Sequence, residues 1–207
     1  MTRELLDYVE LDYMRLIDML DDETREHCVR TAIKVKDIVI PMQMSTVDTQ
    51  KMIVAAYLHD IGKYYIQEKV LKKPGKLTDL ERSIVDMHSY YGYMHLKDIG
   101  IDDEICQLVL LHHGIFKPRP GIELTNEKII FLSAILRTAD AYDALTSERT
   151  YHEAKTNEEA LEILRNAKDV FDPAVVILLS DEKNDKKILT DCKETSSSEP
   201  SYMRLLK

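Results

Sequence analysis

Residues 52–63 read MIVAAYLHDIGK, an apolar run that ends in His59 and Asp60, with Lys63 three residues on. A neutral imidazole and a carboxylate held side by side suit a divalent cation that prefers nitrogen and oxygen ligands. Similar groups recur on either side: Glu23, His27, His88, His112, His113 and Asp140. Most lie within or beside apolar-periodic stretches, so helices would hold them toward a common interior.

The periodicity around the run is helical throughout. Leu5, Leu6, Val9, Tyr13, Leu16, Ile17 and Leu20 follow three- and four-residue steps, predicting an N-terminal helix over 1–20. A second helix starts at Asp21 or Asp22, whose carboxylates cap free N–H groups, and stops before Pro41, placing Glu23 and His27 one turn apart on one face. A third runs from about Asp48 to the His-Asp pair, with Gly62 marking its end. Pro74-Gly75 marks a turn and Thr78 or Asp79 a cap, and the stripe of Ile84, Met87, His88 and Tyr91 predicts one helix from Leu80 to Gly100. Leu108 to Leu111 lead into His112 and His113. A long helix from about Glu127 to Leu145 carries Asp140, and Asn157 to Asn166 and Pro173 to Ser180 close the fold. No stretch alternates with period two. The expectation is an all-α bundle of about seven to nine helices: one domain over 1–189, with the metal-binding core at 21–180, followed by a polar, mobile tail at 190–207.

Composition excludes several functions. With 28 basic against 37 acidic residues and a formal charge of −9, the chain lacks the cationic surface that a nucleic-acid polymer or an anionic membrane requires. Cys28, Cys106 and Cys192 are widely spaced and odd in number, which indicates neither a disulfide framework nor a thiolate zinc site. No signal-like segment follows Met1 and no apolar run approaches a membrane span, so a soluble, unprocessed, cytoplasmic protein is expected.

Each metal candidate has an ordinary alternative. A lone His on an apolar helix face is more often a hydrogen-bonded core residue than a ligand. His112 and His113 are neighbours about 100° apart on a helix, and reach one ion only if a helix end reorients them, which the Pro- and Gly-rich stretch after them provides. Asp140 requires a cation, a hydrogen-bonded partner or a proton, and Arg137 is its non-metal partner by spacing. What favours a metal is coincidence: five of the seven His and three acids fall on interior helical faces.

These residues lie in stretches that resemble the HD superfamily of metal-dependent phosphohydrolases, and within it the HD-GYP branch, whose members hydrolyse cyclic dinucleotides, usually cyclic di-GMP. The matching stretches are LHDIGK at 58–63, LKKPGKLTDLE at 71–81, His88 to Gly92, the His112-His113 pair, TADAYDALTSERTY at 138–151 and VFDPAVV at 170–176. The resemblance runs from about Leu20 to Phe171 and implies an α-helical HD bundle. It also implies that Glu23 and His27 match the first-helix ligands associated with a third metal. In the family a Glu and then a Gly-Tyr-Pro loop follow the two His, whereas residues 112–127 read HHGIFKPRPGIELTNE. The name-giving motif is absent, and substrate is read differently there. The family's basic residue after the SxRxY stretch is His152 in this chain.

The resemblance implies two or three divalent transition metals, iron or manganese first and zinc or nickel after them. His27, His59 and Asp140 would hold one ion, His88, His112 and His113 a second, with Asp60 bridging and Glu23 available to a third. Paired cations activate a bridging water for in-line displacement at phosphorus, which is phosphodiester hydrolysis. Lys63 and Arg149 are candidate contacts to the phosphate oxygens, and Lys117 and Arg119 of the altered loop are candidate replacements. The expected substrate is a small anionic nucleotide, foremost a cyclic dinucleotide. Two other readings stay open: an HD-superfamily phosphohydrolase acting on another nucleotide or a phosphomonoester, and a non-catalytic nucleotide-binding or signalling module. Within these 207 residues no receiver or sensory domain of the kind often fused in the family is expected.

Overall fold

The structure, a computed structural model, describes residues 5, 7–114, 127–148 and 153–180. Among them every regular element is helical: α1 (Leu11–Leu16), α2 (Asp22–Val39), α3 (Thr46–Leu58), α4 (Glu68–Leu71), α5 (Asp79–Asp86), α6 (His88–Asp98), α7 (Asp103–Leu111), α8 (Glu127–Thr146), α9 (Asn157–Asn166) and α10 (Pro173–Leu178), with 3-10 turns at Ile17–Met19 and Ile61–Tyr65. The all-α expectation holds, with three of these helices only four to six residues long.

Polar caps set most of the starts. Asp21, Ser45, Asp102 and Asp172 each accept a hydrogen bond from a main-chain N–H of the helix that follows, those of Thr24, Asp48, Glu104 and Ala174. Thr78 and Thr156 form complete capping boxes with Glu81 and Glu159. Gly100, with φ of 80°, ends α6, as the Ile101 N–H turns back to the Leu96 carbonyl.

Helix α3 is the centre. Met52 through Leu58 are all buried, so the helix is covered on every side, by α2, α7 and α8 among others. Cys28, Ala32, Val35 and Val39 of α2, Leu108 to Leu111 of α7, and Leu132, Ile135, Leu136 and Ala139 of α8 share its core. A smaller cluster of Tyr142, Ala160, Leu164 and Val176 joins α8 to α9 and α10. Because α3 is enclosed, its C-terminal end delivers His59 and Asp60 inside the protein.

Two expected helices are interrupted. The stretch from Leu5 to Leu20 is not one helix: Glu10 is extended, with ψ of 155°, and only Leu11–Leu16 is α-helical before the 3-10 turn. Leu5, Val9 and Ile17 are buried all the same, since short turns can lay their apolar side on the same core. The predicted helix from Leu80 to Gly100 breaks at Met87, which ends α5 and precedes α6. There the His88 ring takes the Val85 carbonyl at 2.6 Å and the Ser89 hydroxyl takes that of Asp86 at 3.3 Å, so side chains occupy acceptors that a continuous helix would use.

Candidate metal centre

Three imidazoles are oriented by one device. His59 follows the end of α3, His88 the end of α5 and His112 the end of α7, where the last carbonyls have no next turn of the same helix to bond. In each, Nδ1 meets the carbonyl three residues back: Ala56 at 2.7 Å, Val85 at 2.6 Å and Val109 at 2.6 Å. A carbonyl only accepts, so Nδ1 carries the proton and Nε2 presents a lone pair. These Nε2 atoms point inward. The reorientation required of His113 also occurs, because α7 has ended and Gly114 takes a φ of 115°.

Asp60 stands between two groups of donors. Its Oδ1 is 3.2 Å from His88 Nε2, which in turn lies 3.2 Å from His112 Nε2 and 3.1 Å from His113 Nε2. Its Oδ2 is 3.5 Å from His59 Nε2 and 3.7 Å from His27 Nε2. Asp140, from α8, reaches His27 Nε2 at 2.9 Å and His59 Nε2 at 3.7 Å. The Lys63 ammonium lies 2.7 Å from Asp60 Oδ2, so the cation predicted for the phosphate side is at the rim of this group.

The electrostatics sort the imidazoles. Burial lowers His88 to about 4 despite the Asp60 carboxylate, and burial with the neighbouring His113, His59 and His88 holds His112 well below its ordinary value. His59 is lowered by burial as well. His27 goes the other way: burial opposes its charge, but hydrogen bonds to Asp140 and Asp143 and the charges of Asp140 and Asp60 raise it to about 9. Burial would raise Asp60, yet Lys63 and the surrounding imidazoles hold it well below the usual carboxylate range. Asp140 is lowered as well, its own burial outweighed by the His27 hydrogen bond and by His59.

The donor set fits a metal on the geometry alone. Among the described residues His59 Nε2 is buried with no hydrogen-bond partner, and an orphaned imidazole nitrogen in a core is costly unless something electron-poor meets it. Three compact groups have ligand atoms within 4.8 Å of one another: His88 with His112 and His113, His27 with His59 and Asp60, and His59 with His112 and Asp140. All donors are imidazole or carboxylate. Cys28, though buried nearby, joins none of these groups.

Seven of the eight expected ligands therefore converge: His27, His59, Asp60, His88, His112, His113 and Asp140. Glu23 is exposed on α2 and joins none of the three groups. Lys117, Arg119 and Arg149 lie outside the described residues, as do residues 181–207 with the expected tail. Arg137 does not serve Asp140. Its guanidinium donates to the Val170 carbonyl at 3.0 Å and lies beside Gly114.

Two features escaped the sequence reading. Asp143, 3% exposed, accepts from His27 Nδ1 at 2.6 Å and from Arg30 at 2.8 and 3.1 Å. Its spacing of three from Asp140 put both on one face of α8 and was the available signal. Gly62 is not a left-handed helix end but part of the 3-10 turn, pressed against the main chain of His88 and Gly92.

An all-helical fold around buried imidazoles and carboxylates defines a class, proteins with a His/Asp metal centre in a helical bundle. Residues 14–175 match the model of the HD domain, and the chain belongs to that family. It is 30% identical over 173 residues to the 3'3'-cGAMP-specific phosphodiesterase 3 of Vibrio cholerae, covering 81% of this chain and 37% of that protein. To a cyclic di-GMP phosphodiesterase of Vibrio cholerae it is 34% identical (78% and 36% covered), and to one of Thermotoga maritima 33% identical (80% and 47% covered). The chain thus spans between about a third and a half of these relatives' length. Among solved structures it resembles the HD domain of the Listeria monocytogenes phosphodiesterase PgpH, with TM-score 0.60 and 15% identity over 89% of this chain and 99% of that one, a likeness of fold. The same domain in complex with cyclic-di-AMP aligns with TM-score 0.57 and 16% identity, over 92% of this chain and 100% of that one. No helix among the described residues is long and apolar enough to cross a membrane.

Proposed function

We propose that this chain is a metal-dependent phosphodiesterase acting on a cyclic dinucleotide. The observation that carries the reading is the Asp60 carboxylate, one oxygen beside His88 and the other between His59 and His27. In this reading Asp60 would serve both ions, one held by His27, His59 and Asp140 and the other by His88, His112 and His113. Divalent cations there would supply Lewis acidity and an activated water for in-line attack at phosphorus. His59, His88 and His112, each held in one tautomer by a main-chain carbonyl, would act as neutral ligands, and Lys63 would offer its ammonium to a phosphate oxygen once Asp60 serves the metals. Arg149, Lys117 and Arg119 are proposed further phosphate contacts, and Glu23 an occasional ligand to a third ion.

Nitrogen and oxygen donors without thiolate favour iron or manganese, ahead of zinc or nickel. The named relatives act on cyclic di-GMP or 3'3'-cGAMP, which supports the substrate class. The rewritten stretch after His113 is where the choice among cyclic dinucleotides is made. Free, buried Cys28 and Cys106 support a reducing, cytoplasmic setting, and residues 21–180 are read as the metal-binding core of a single domain. The test is a panel of cyclic dinucleotides and mononucleotides incubated with iron- or manganese-loaded protein, with products resolved by chromatography. Linear dinucleotide or mononucleotide products support the reading. Full metal loading with no turnover of any diester refutes it.

A further inference from the structure

His27 is held differently from the other inward-facing imidazoles. His59, His88 and His112 sit at helix ends and donate Nδ1–H to main-chain carbonyls. His27 lies inside α2, where the carbonyls of the preceding turn are occupied by the helix itself. Its Nδ1 instead faces a carboxylate, Asp143 Oδ2 at 2.6 Å, supplied by α8. Arg30, one turn further along α2, grips that carboxylate with Nε on Oδ1 at 2.8 Å and Nη2 on Oδ2 at 3.1 Å. The carboxylate is 3% exposed, so the arrangement is built and not a chance surface pair.

A charged acceptor on Nδ1–H makes the opposite nitrogen a stronger donor than a carbonyl acceptor does. We propose that Asp143, clamped by Arg30, is a positioning residue that makes the two halves of the centre unequal, so that the His27 half binds a divalent cation more tightly than the His88–His112–His113 half. This rests on reading the cluster as a metal centre. Asp140 lies on the same half and adds a carboxylate, while the other half has three imidazoles and a share of Asp60. Asp143 touches no cation itself. Its effect passes through the ring of His27.

The test is calorimetric titration of chelator-treated full chain with Mn²⁺ alone. Wild type should show two affinity classes, and Asp143→Asn should weaken the tighter one by about 10- to 100-fold and leave the weaker one unchanged. A single class in wild type, equal weakening of both classes in the variant, or no weakening overturns the proposal. Nitrogen-resolved NMR of the Zn²⁺-loaded protein supplies a second readout: Asp143→Asn should move the His27 ring nitrogens and leave those of His59, His88 and His112 in place. Movement of all four together would make Asp143 a general structural prop and refute the assignment. If Asp143→Asn does not fold, Arg30→Gln, which keeps the carboxylate and releases its clamp, is required to show the same selectivity with a smaller loss. Wild type that binds neither Mn²⁺ nor Zn²⁺ overturns the metal-centre reading itself, and differs from the other failures because no variant is needed to see it.

Discussion

A methyl group on Gly62 would stand 1.9 Å from the carbonyl oxygen of His88 and 2.4 Å from the main-chain nitrogen of Gly92. The turn that carries Asp60 and Lys63 thus rests directly on the backbone of the next ligand, with no side chain between them. Neither neighbour is a flexible tip that can swing aside, so a Cβ must push α6 away from the turn. Gly62→Ala should destabilise the protein by about 3 kcal/mol, the upper part of the usual overpacking range. Metal content should fall with it, because His88 moves relative to Asp60. A denaturation midpoint and metal stoichiometry equal to wild type would show that the close approach is dispensable.

Asp60 is the carboxylate that both groups of imidazoles face. Asp60→Ala removes oxygen donors from both at once, and should leave less than one ion per chain and no measurable hydrolysis. Metal analysis by mass spectrometry and a turnover assay check it together. Full turnover in this variant would remove Asp60 from its proposed shared position.

Cation binding should also appear as stability. An ion that binds the folded chain alone, present at about 100 times its Kd, adds about 2.7 kcal/mol. For a domain of this size that corresponds to a rise of roughly 5–10 °C in the melting temperature. Thermal melts of chelator-treated protein against increasing Mn²⁺ test it, and a midpoint independent of Mn²⁺ would contradict the proposed site.

Away from the centre, the Glu81 carboxyl is held down to about 2 by the Lys73 ammonium and by the N–H and hydroxyl of Thr78, from an ordinary value of 4.5. A carboxyl lowered on folding contributes stability that is complete above its unfolded value and is lost as pH falls toward its folded one. The difference in denaturation midpoint between wild type and Glu81→Gln should therefore be constant above about pH 5.5 and shrink between there and about pH 2. A difference that grows on acidification would have the wrong sign.

The helix starts at Asp21 and Thr78 were legible because a cap is a local event: each bonds an N–H three residues away. LHDIGK was legible for a related reason, as an apolar run long enough to be enclosed carries whatever follows it inward. The break at Met87 was not, because the stripe from Ile84 to Tyr91 continues across it and apolar spacing does not register which carbonyls a side chain will take. Glu23 and His27 share a helix face in sequence, yet the fold leaves one in solvent and the other in the core, since a face is broad and the crossing of α2 with α8 selects which part of it is covered.

Periodicity could nominate the seven converging ligands and could place each on its own helix. It could not bring α2, α3, α6, α7 and α8 to one point, split the oxygens of Asp60 between two groups, or aim Asp143 at His27. Helical spacing reports contacts within a few residues, whereas these pairs lie up to 116 residues apart and exist because the helices cross where they do.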